Sequence, residues 1–394
     1  VTTATDPRPG PVHIDVPIGV ADAIPHARAP RRRVAASPVA PAGADLAWAR
    51  AWLSESERPI AIVGLDMLDG EASTVLRAFL ELFSIPFITT YKAKGVLPED
   101  HPLCLGGAGL SPLADGPLRG LVKSADLVLC IGYDPIEMRP GWREVWDPET
   151  QRVIDIAPVA NDHYMHQSSL AFVADPAATL EAMAEGGRGR ATWTDGRPEE
   201  VQAALAAAFP TDEHWGPAAV IAEARAVMPP ETLATADSGA HRILLSQMWT
   251  CSEPRALVQS SGLCTMGCAL PLAIGLKLAA PERPVISFAG DAGMLMVAGE
   301  LATAAELRTP VIFLTFVDAS LALIEKKQRE RQMVNRGVDF ERHDFAAIGR
   351  AFGGAGVSVR SRAELRAALE AALTAETFTV IAAEIDRAAY DGRI

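Results

Sequence analysis

The sequence predicts an α/β protein with two parallel-sheet domains, each sheet lying between two layers of helices. Three observations lead there. Short apolar runs enriched in β-branched residues recur along the chain, at 59–64, 86–90, 127–132, 152–156 and 170–174, then at 232–236, 256–259, 285–289, 311–317 and 379–385. Runs that stay apolar at successive positions belong to strands covered on both faces, the condition of parallel sheets. Segments of helical spacing lie between them, and alternation of strand and helix is the pattern of crossover connections. Two stretches rich in Pro, Gly, Ala and Arg, 27–44 and 187–198, interrupt the alternation and read as linkers, leaving domains at 45–186 and 199–394.

Composition limits the function classes. With 394 residues, 49% of them hydrophobic, the chain can fill two or three cores. A formal charge of −13 without a long basic run argues against a nucleic-acid surface. No apolar run reaches the length of a membrane span, and no signal peptide is visible. The five cysteines are scattered and odd in number, so a disulfide framework is not expected. Cys264 and Cys268 lack a second pair or a histidine to complete a zinc site and read as packing residues in a reducing cytosol. The expected class is a cytoplasmic protein of small-molecule chemistry.

Taken in order, the chain opens with a turn at Arg8-Pro9-Gly10-Pro11 and an alternating strand at 12–17. Such a strand must pair with a sheet that these residues do not supply, so 1–26 reads as the end of another domain. Arg31-Arg32-Arg33 fits a solvated linker better than a phosphate contact. The first full domain has helices expected at 45–56, 71–83 and 177–185 around its strands. Its first turn, Gly64 to Gly70, lacks the G-x-G-x-x-G spacing of a dinucleotide fingerprint. His101, His163 and His166 have no carboxylates at ligand spacing. The second domain opens with helices at 199–208 and 217–227. Its strand at 232–236 runs into Asp237-Ser238-Gly239-Ala240-His241, where Asp237 or Ser238 is suited to cap a helix. The strand at 256–259 runs into Ser260-Ser261-Gly262-Leu263-Cys264-Thr265-Met266-Gly267, followed by an Ala- and Leu-rich helix.

The strongest chemical signal lies at 284–328. Strand 285–289 stops at Gly290-Asp291-Ala292-Gly293, a turn of small residues that leaves amides uncovered, before a helix expected at 297–307. Such a turn suits a phosphate, and an aspartate inside it makes sense if a divalent metal bridges carboxylate and phosphate. Strand 311–317 delivers Asp318 to the same end of the sheet. Two carboxylates and a phosphate imply magnesium.

These residues resemble the thiamine-diphosphate-dependent enzymes, in particular those of the acetolactate synthase type. Gly290-Asp291-Ala292 resembles the Gly-Asp-Gly that opens the family's diphosphate and metal motif, and Asp318 falls on a metal-binding asparagine near its close. The resemblance implies metal ligands Asp291, Asp318 and the main-chain oxygen of Ser320. It implies further cofactor contacts from Gly239 and His241, from Gly262, Cys264 and Met266, and from Gly290, Asp291, Ala292, Gly293 and Asp318. Met266 falls on the wedge that bends the cofactor into a V. Leu321 and Ile324 begin a helix facing the cofactor's thiazolium, where an aliphatic surface suits a small substituent such as the methyl of pyruvate. Lys94-Gly95-Val96-Leu97-Pro98 and Ala125-Asp126-Leu127-Val128 resemble the family's Rossmann-like middle domain. Gly106-Gly107-Ala108-Gly109 replaces the segment associated with flavin, so FAD is not expected. The stretch 8–17 resembles the last strand of the family's pyrimidine-binding domain.

The implied architecture is therefore a Rossmann-like middle domain followed by a thiamine-diphosphate-binding fold. The implied activity is decarboxylation of a 2-keto acid followed by carboligation. Simple decarboxylation or lysis, and a non-catalytic or regulatory subunit, are the alternatives. The family's catalytic glutamate belongs to the pyrimidine domain of a neighbouring subunit and is expected outside this chain, which implies a homodimer or homotetramer.

Overall fold

The computed structural model of the chain describes residues 12–20, 22–24, 39–68, 70–161, 165–260 and 262–394. His163, Ser261, Arg8 to Pro11 and the arginines at 31–33 lie outside the described residues.

The middle domain starts with α1 (Ala44–Glu55), β1 (Pro59–Val63) and α2 (Gly70–Phe83). It continues through β2 (Phe87–Thr90), β3 (Cys104–Ala108), α3 (Pro112–Ser124), β4 (Leu127–Ile131), β5 (Arg152–Ala157), β6 (Leu170–Val173) and α4 (Pro176–Ala184). Its six strands are all parallel, in the order β3-β2-β1-β4-β5-β6. Alternate residues of each strand enter opposite cores, as a period of two requires. Ala61, Val63, Leu129 and Ile154 pack with α1, α2 and α4, while Ile60, Ile62, Val128 and Val153 pack with α3. The order reverses between β1 and β4, where open α/β sheets leave a crevice for ligands. Here Glu137 occupies that crevice. Its carboxylate accepts from Leu65 N at 3.1 Å, Asp134 N at 3.0 Å and Thr90 Oγ1 at 2.6 Å.

The second domain comprises α6 (Pro217–Val227), β7 (Leu233–Ala236), α7 (Ala240–Met248), β8 (Leu257–Gln259), α8 (Ala269–Ala279), β9 (Val285–Gly290), α9 (Asp291–Met296) and α10 (Glu300–Glu306). It ends with β10 (Ile312–Val317), α11 (Ala322–Glu330), α12 (Phe345–Ala351), β11 (Ala355–Val359), α13 (Arg362–Ala372) and β12 (Thr379–Glu384). Its six parallel strands run β11-β12-β10-β9-β7-β8. Phe288, Leu314 and Phe316 face the core under α6, α7 and α13, and Val285, Phe313 and Val380 face the core under α8, α10 and α12. Both sheets are the three-layer α/β arrangement expected from the sequence. Among the described residues no helix is long and apolar enough to cross a membrane.

Several expectations need correction. Residues 12–17 form no strand and are exposed. A strand needs a neighbour, and no strand of either described sheet pairs with these residues. The expected turn at 290–293 is instead the end of β9 and the first turn of α9, and the single helix expected at 297–307 is two, α9 and α10, interrupted at 297–299. Gly299 within the interruption is a poor helix residue. The stretch 187–198 is mostly exposed but anchored at two points: Trp193 is buried, its indole N–H donates to Pro59 O at 2.6 Å, and Arg190 donates to Ser54 O at 2.7 Å. α5 (Arg197–Ala208) then lies against α3 and β3, with Gln202 donating to Cys104 O at 2.9 Å.

The two domains are joined by a buried contact. The Lys94 ammonium pairs with Glu99 at 2.5 Å, both nearly inaccessible, and the other Glu99 oxygen accepts from Cys251 N at 2.7 Å. Burial alone lowers the Lys94 pKa, but Glu99 outweighs it and the net shift is upward.

Glu137 provides the test of the middle fold. Burial pushes its carboxyl up to about 7 against the pull of its hydrogen-bond donors. A carboxyl whose folded pKa is raised holds a proton the unfolded chain has released, so its stabilising contribution is complete below about 4 and declines as the pH rises towards 7. Thermal unfolding of the wild type should therefore lose midpoint temperature between those limits, and Glu137→Gln should remove that part of the slope. Glu137→Ala should cost about 1–3 kcal/mol at every pH, because it strands buried amides.

Candidate functional site

The C-terminal ends of β7, β9 and β10 meet at one place, because parallel strands in register end at one level. Phe316 lies opposite Gly290 in the β10–β9 pairing, which brings Asp291 beside Val317 and Asp318 one step beyond. The Asp291 carboxylate exploits this. Its Oδ2 accepts from the main-chain N–H groups of Asp318 at 3.1 Å and Ala319 at 2.7 Å, and its Oδ1 accepts from Ala292 N at 2.8 Å. Ala319 is held at φ +59°, a left-handed conformation that non-glycine residues adopt at a cost of about 1–2 kcal/mol. Asp318 in turn accepts from Ser320 N at 3.0 Å, and the Ser320 hydroxyl donates to Asp339 at 3.0 Å.

The electrostatics of this pair are unfavourable when both groups are charged. Burial first, then the charge of Asp291, pushes the Asp318 carboxyl up to about 7. Burial also raises Asp291, although main-chain N–H groups oppose it. A hard cation between the two would relieve both effects. Among the described residues no group of three or more His, Cys, Asp or Glu side chains assembles, so such a cation would draw its other ligands from carbonyls or from a bound anion.

A second wall comes from β7 and α7. Gly239 lies so close to the His241 ring that a Cβ there would sit 2.6 Å from Cε1. His241 is fully buried and stacks on Phe316 with centroids 5.1 Å apart, while its Nε2 has no hydrogen-bond partner. Burial, helped by Arg242, lowers its pKa to about 3, so the ring is neutral. An orphaned buried nitrogen costs about 1–3 kcal/mol unless a ligand satisfies it.

Asp237, in the sequence a candidate helix cap, does something else. Its carboxylate accepts from Gly267 N at 2.8 Å and Cys268 N at 3.1 Å, fastening the loop that follows β8 to the end of β7. A Cβ on Gly293 would fall 2.0 Å from Asp237 Oδ2, so glycine is required for the first turn of α9 to close on it. Ser238 donates to the carbonyl oxygen of Cys264, which sits at φ +53°. The loop carrying Met266 is thereby fixed against the turn carrying Asp291.

These walls enclose a cavity of about 270 Å³. It is lined by Gly239, His241, Cys264, Met266, Gly290, Asp291, Ala292, Gly293, Asp318, Ser320, Leu321 and Ile324. Of the residues singled out in the sequence, Gly262 is the one that stands apart, exposed on the loop. Tyr390 and Leu323 also line the cavity without having been marked by the sequence, as does Ser238, which the sequence offered only as a helix cap. Tyr390 comes from a short turn after β12, with no local motif to signal it. Its hydroxyl pKa is raised well above the ordinary value by burial first, then by Asp318 and Asp291.

The family model described as the C-terminal TPP binding domain of thiamine pyrophosphate enzymes matches residues 237–383, and that of their central domain matches residues 46–183. The chain is 29% identical to an acetolactate synthase of Bacillus subtilis, over 90% of this chain and 63% of the relative. It is 29% identical to a probable acetolactate synthase large subunit of Methanocaldococcus jannaschii, over 94% of this chain and 66% of the relative. It is 31% identical to a probable 2-ketoarginine decarboxylase of Pseudomonas aeruginosa, over 88% and 61%. The chain thus spans less than two thirds of the length of these relatives. With both family models matched in sequence order and their two sheets present in the fold, this chain belongs to the thiamine pyrophosphate enzymes, of which it carries the central and the cofactor-binding C-terminal domains.

Proposed function

We propose that the chain forms the diphosphate half of a thiamine-diphosphate-dependent carboligase. It would decarboxylate a 2-keto acid such as pyruvate and join the remaining unit to a second carbonyl compound. The observation that carries this reading is the convergence of Asp291, Asp318 and the unpartnered His241 nitrogen on a single cavity. Asp291 and Asp318, with the Ser320 carbonyl, would hold magnesium, and His241 with the backbone at Gly239 and Gly290 to Gly293 would hold the diphosphate. The bound cofactor supplies an electron sink for the loss of carbon dioxide. The chain's own part is to orient and exclude water. Met266 and the Cys264 backbone would hold the cofactor's rings, and Leu321, Leu323 and Ile324 would supply aliphatic surface that keeps water from it.

Among the described residues no glutamate lines this cavity. The proton handling at the pyrimidine is therefore assigned to a glutamate on another segment or subunit that carries a pyrimidine-binding domain, within a homodimer or homotetramer. The likeness to a probable 2-ketoarginine decarboxylase supports a second reading, decarboxylation without carboligation.

Calorimetric titration of thiamine diphosphate tests the metal assignment. Binding should require magnesium, vanish in Asp291→Ala and persist or strengthen in Asp318→Asn. Because the Asp318 carboxyl sits near 7, the wild type's magnesium affinity should fall as the pH drops through that value, and Asp318→Asn should flatten the dependence. Equal binding without metal would overturn the assignment.

In the enzyme assembled with its pyrimidine domain, Met266→Ala should lower turnover about a hundredfold while leaving cofactor affinity within a few-fold, since misplacement of reacting groups acts on rate. Steady-state kinetics beside calorimetry separates the two. A polypeptide of these 394 residues alone should release no carbon dioxide from labelled pyruvate, and adding the pyrimidine domain should restore release.

A further inference from the structure

Arg242, the third residue of α7, is only 5% exposed, and each of its three side-chain nitrogens meets a different neutral acceptor. Its Nε donates to Gln259 Oε1 at 2.6 Å, its Nη2 to the main-chain oxygen of Ser260 at 2.9 Å and its Nη1 to Ser238 Oγ at 3.3 Å. The guanidinium also lies 5.2 Å from the centre of the Tyr91 ring, and Gln259 Nε2 donates to Tyr91 O at 2.8 Å. Burying a cation among neutral groups is costly, so a residue of this kind needs a reason to be there. A guanidinium fork reaches three acceptors at once in fixed directions, which a lysine or an amide cannot do.

The acceptors show what the fork does. Gln259 and Ser260 mark the point where β8 passes into the loop carrying Cys264 and Met266, and Ser238 touches the middle of that loop. The Ser238 hydroxyl has a single proton. With a guanidinium N–H directed at its oxygen, that proton is left to point at the carbonyl oxygen of Cys264, to which Ser238 donates. Arg242, Ser238 and the Cys264 carbonyl thus form a relay whose bonds polarise one another. Cys264 itself stands at φ +53°, a conformation that a non-glycine residue keeps only where its surroundings hold it. A carbonyl oxygen has two lone pairs, and Ser238 takes one. Cys264 and Ser238 both line the cavity, so the second lone pair is left for a bound molecule.

We propose that Arg242 is a positioning residue for the ring end of the cofactor: acting through Ser238, it holds the Cys264 carbonyl where that oxygen accepts a hydrogen bond from the amino group of the pyrimidine. The assignment rests on the reading of the cavity as a thiamine diphosphate site, and it asks something further of the fold. The carboxylates for the diphosphate end stand on β9 and β10, within one sheet. The ring end hangs instead, through Arg242 and Gln259, on the main chain of Tyr91 in the other domain. Asp237 fixes the far end of the same loop at Gly267 and Cys268, so loss of Arg242 frees the stretch before Met266 without releasing the stretch after it. An arginine that served only to hold the domain together would affect both ends of the cavity alike.

Calorimetric titration of the 394-residue chain, with magnesium present, compares three probes: inorganic diphosphate, thiamine diphosphate and its analogue lacking the pyrimidine amino group. The wild type should bind thiamine diphosphate about tenfold more tightly than the analogue, the difference that one hydrogen bond makes. Arg242→Gln should abolish that preference and leave the affinity for inorganic diphosphate unchanged. Ser238→Ala should do the same, and the double variant should lose no more than either alone, because the two residues act in series. Should Arg242→Gln fail to fold by circular dichroism, Ser238→Ala and the wild-type preference decide. A folded variant of either kind that keeps the preference, or one that loses inorganic diphosphate to the same extent, would overturn the proposal. A wild type that binds inorganic diphosphate without discriminating between the other two probes overturns it while sparing the diphosphate site. A wild type that binds none of the three overturns the reading of the cavity as well.

Discussion

Asp291 is the hinge pin of the C-terminal domain. A carboxylate at the end of β9 accepts the first amides after β10, so two parallel strands that share a sheet also share a terminus. This settles where Asp318 can be, forces the left-handed turn at Ala319 and launches α11 over the cavity. Carboxylates that accept several main-chain N–H groups are held charged, whereas burial here works in the other direction. The site is thus poised between a structural role for the charge and an electrostatic demand for a counter-ion.

Asp237 performs a related task one strand over, and together the two aspartates make the cavity a property of the sheet rather than of its loops. Each loop around the cavity is tied by a side chain or backbone group belonging to a different strand end. The loop after β8 hangs from Asp237, and the turn of α9 needs Gly293 to approach that same carboxylate. Preorganisation of this kind positions binding groups before any ligand arrives.

How far the sequence discloses this depends on how locally each feature is made. Strands buried on both faces, such as β1, β4, β9 and β10, announce themselves by unbroken apolar runs. Two of the edge strands do not: β3 reads Cys-Leu-Gly-Gly-Ala, and β11 is largely exposed, so neither carries that signal. Asp291 and Asp318 can be found because the strand, turn and helix around them impose a pattern. Asp237 looks like a helix cap because its partners, Gly267 and Cys268, are set by the pairing of β7 with β8 and not by neighbours in sequence. Tyr390 reaches the cavity from the far end of the chain, and nothing in its vicinity marks it.

The glutamate that joins the two domains has a bearing on how stiff the assembly is. Lys94 and Glu99 are shut away from solvent, and Glu99 also grips the main chain at Cys251, so ionic strength has little purchase on the joint. Gln259, at the end of β8, donates to Tyr91 O on the opposite side of the same boundary. The middle domain therefore acts as a backstop. A group that moves β8 therefore also pulls on the end of β2, because the hydrogen bond from Gln259 to Tyr91 O ties the cavity wall to the first sheet.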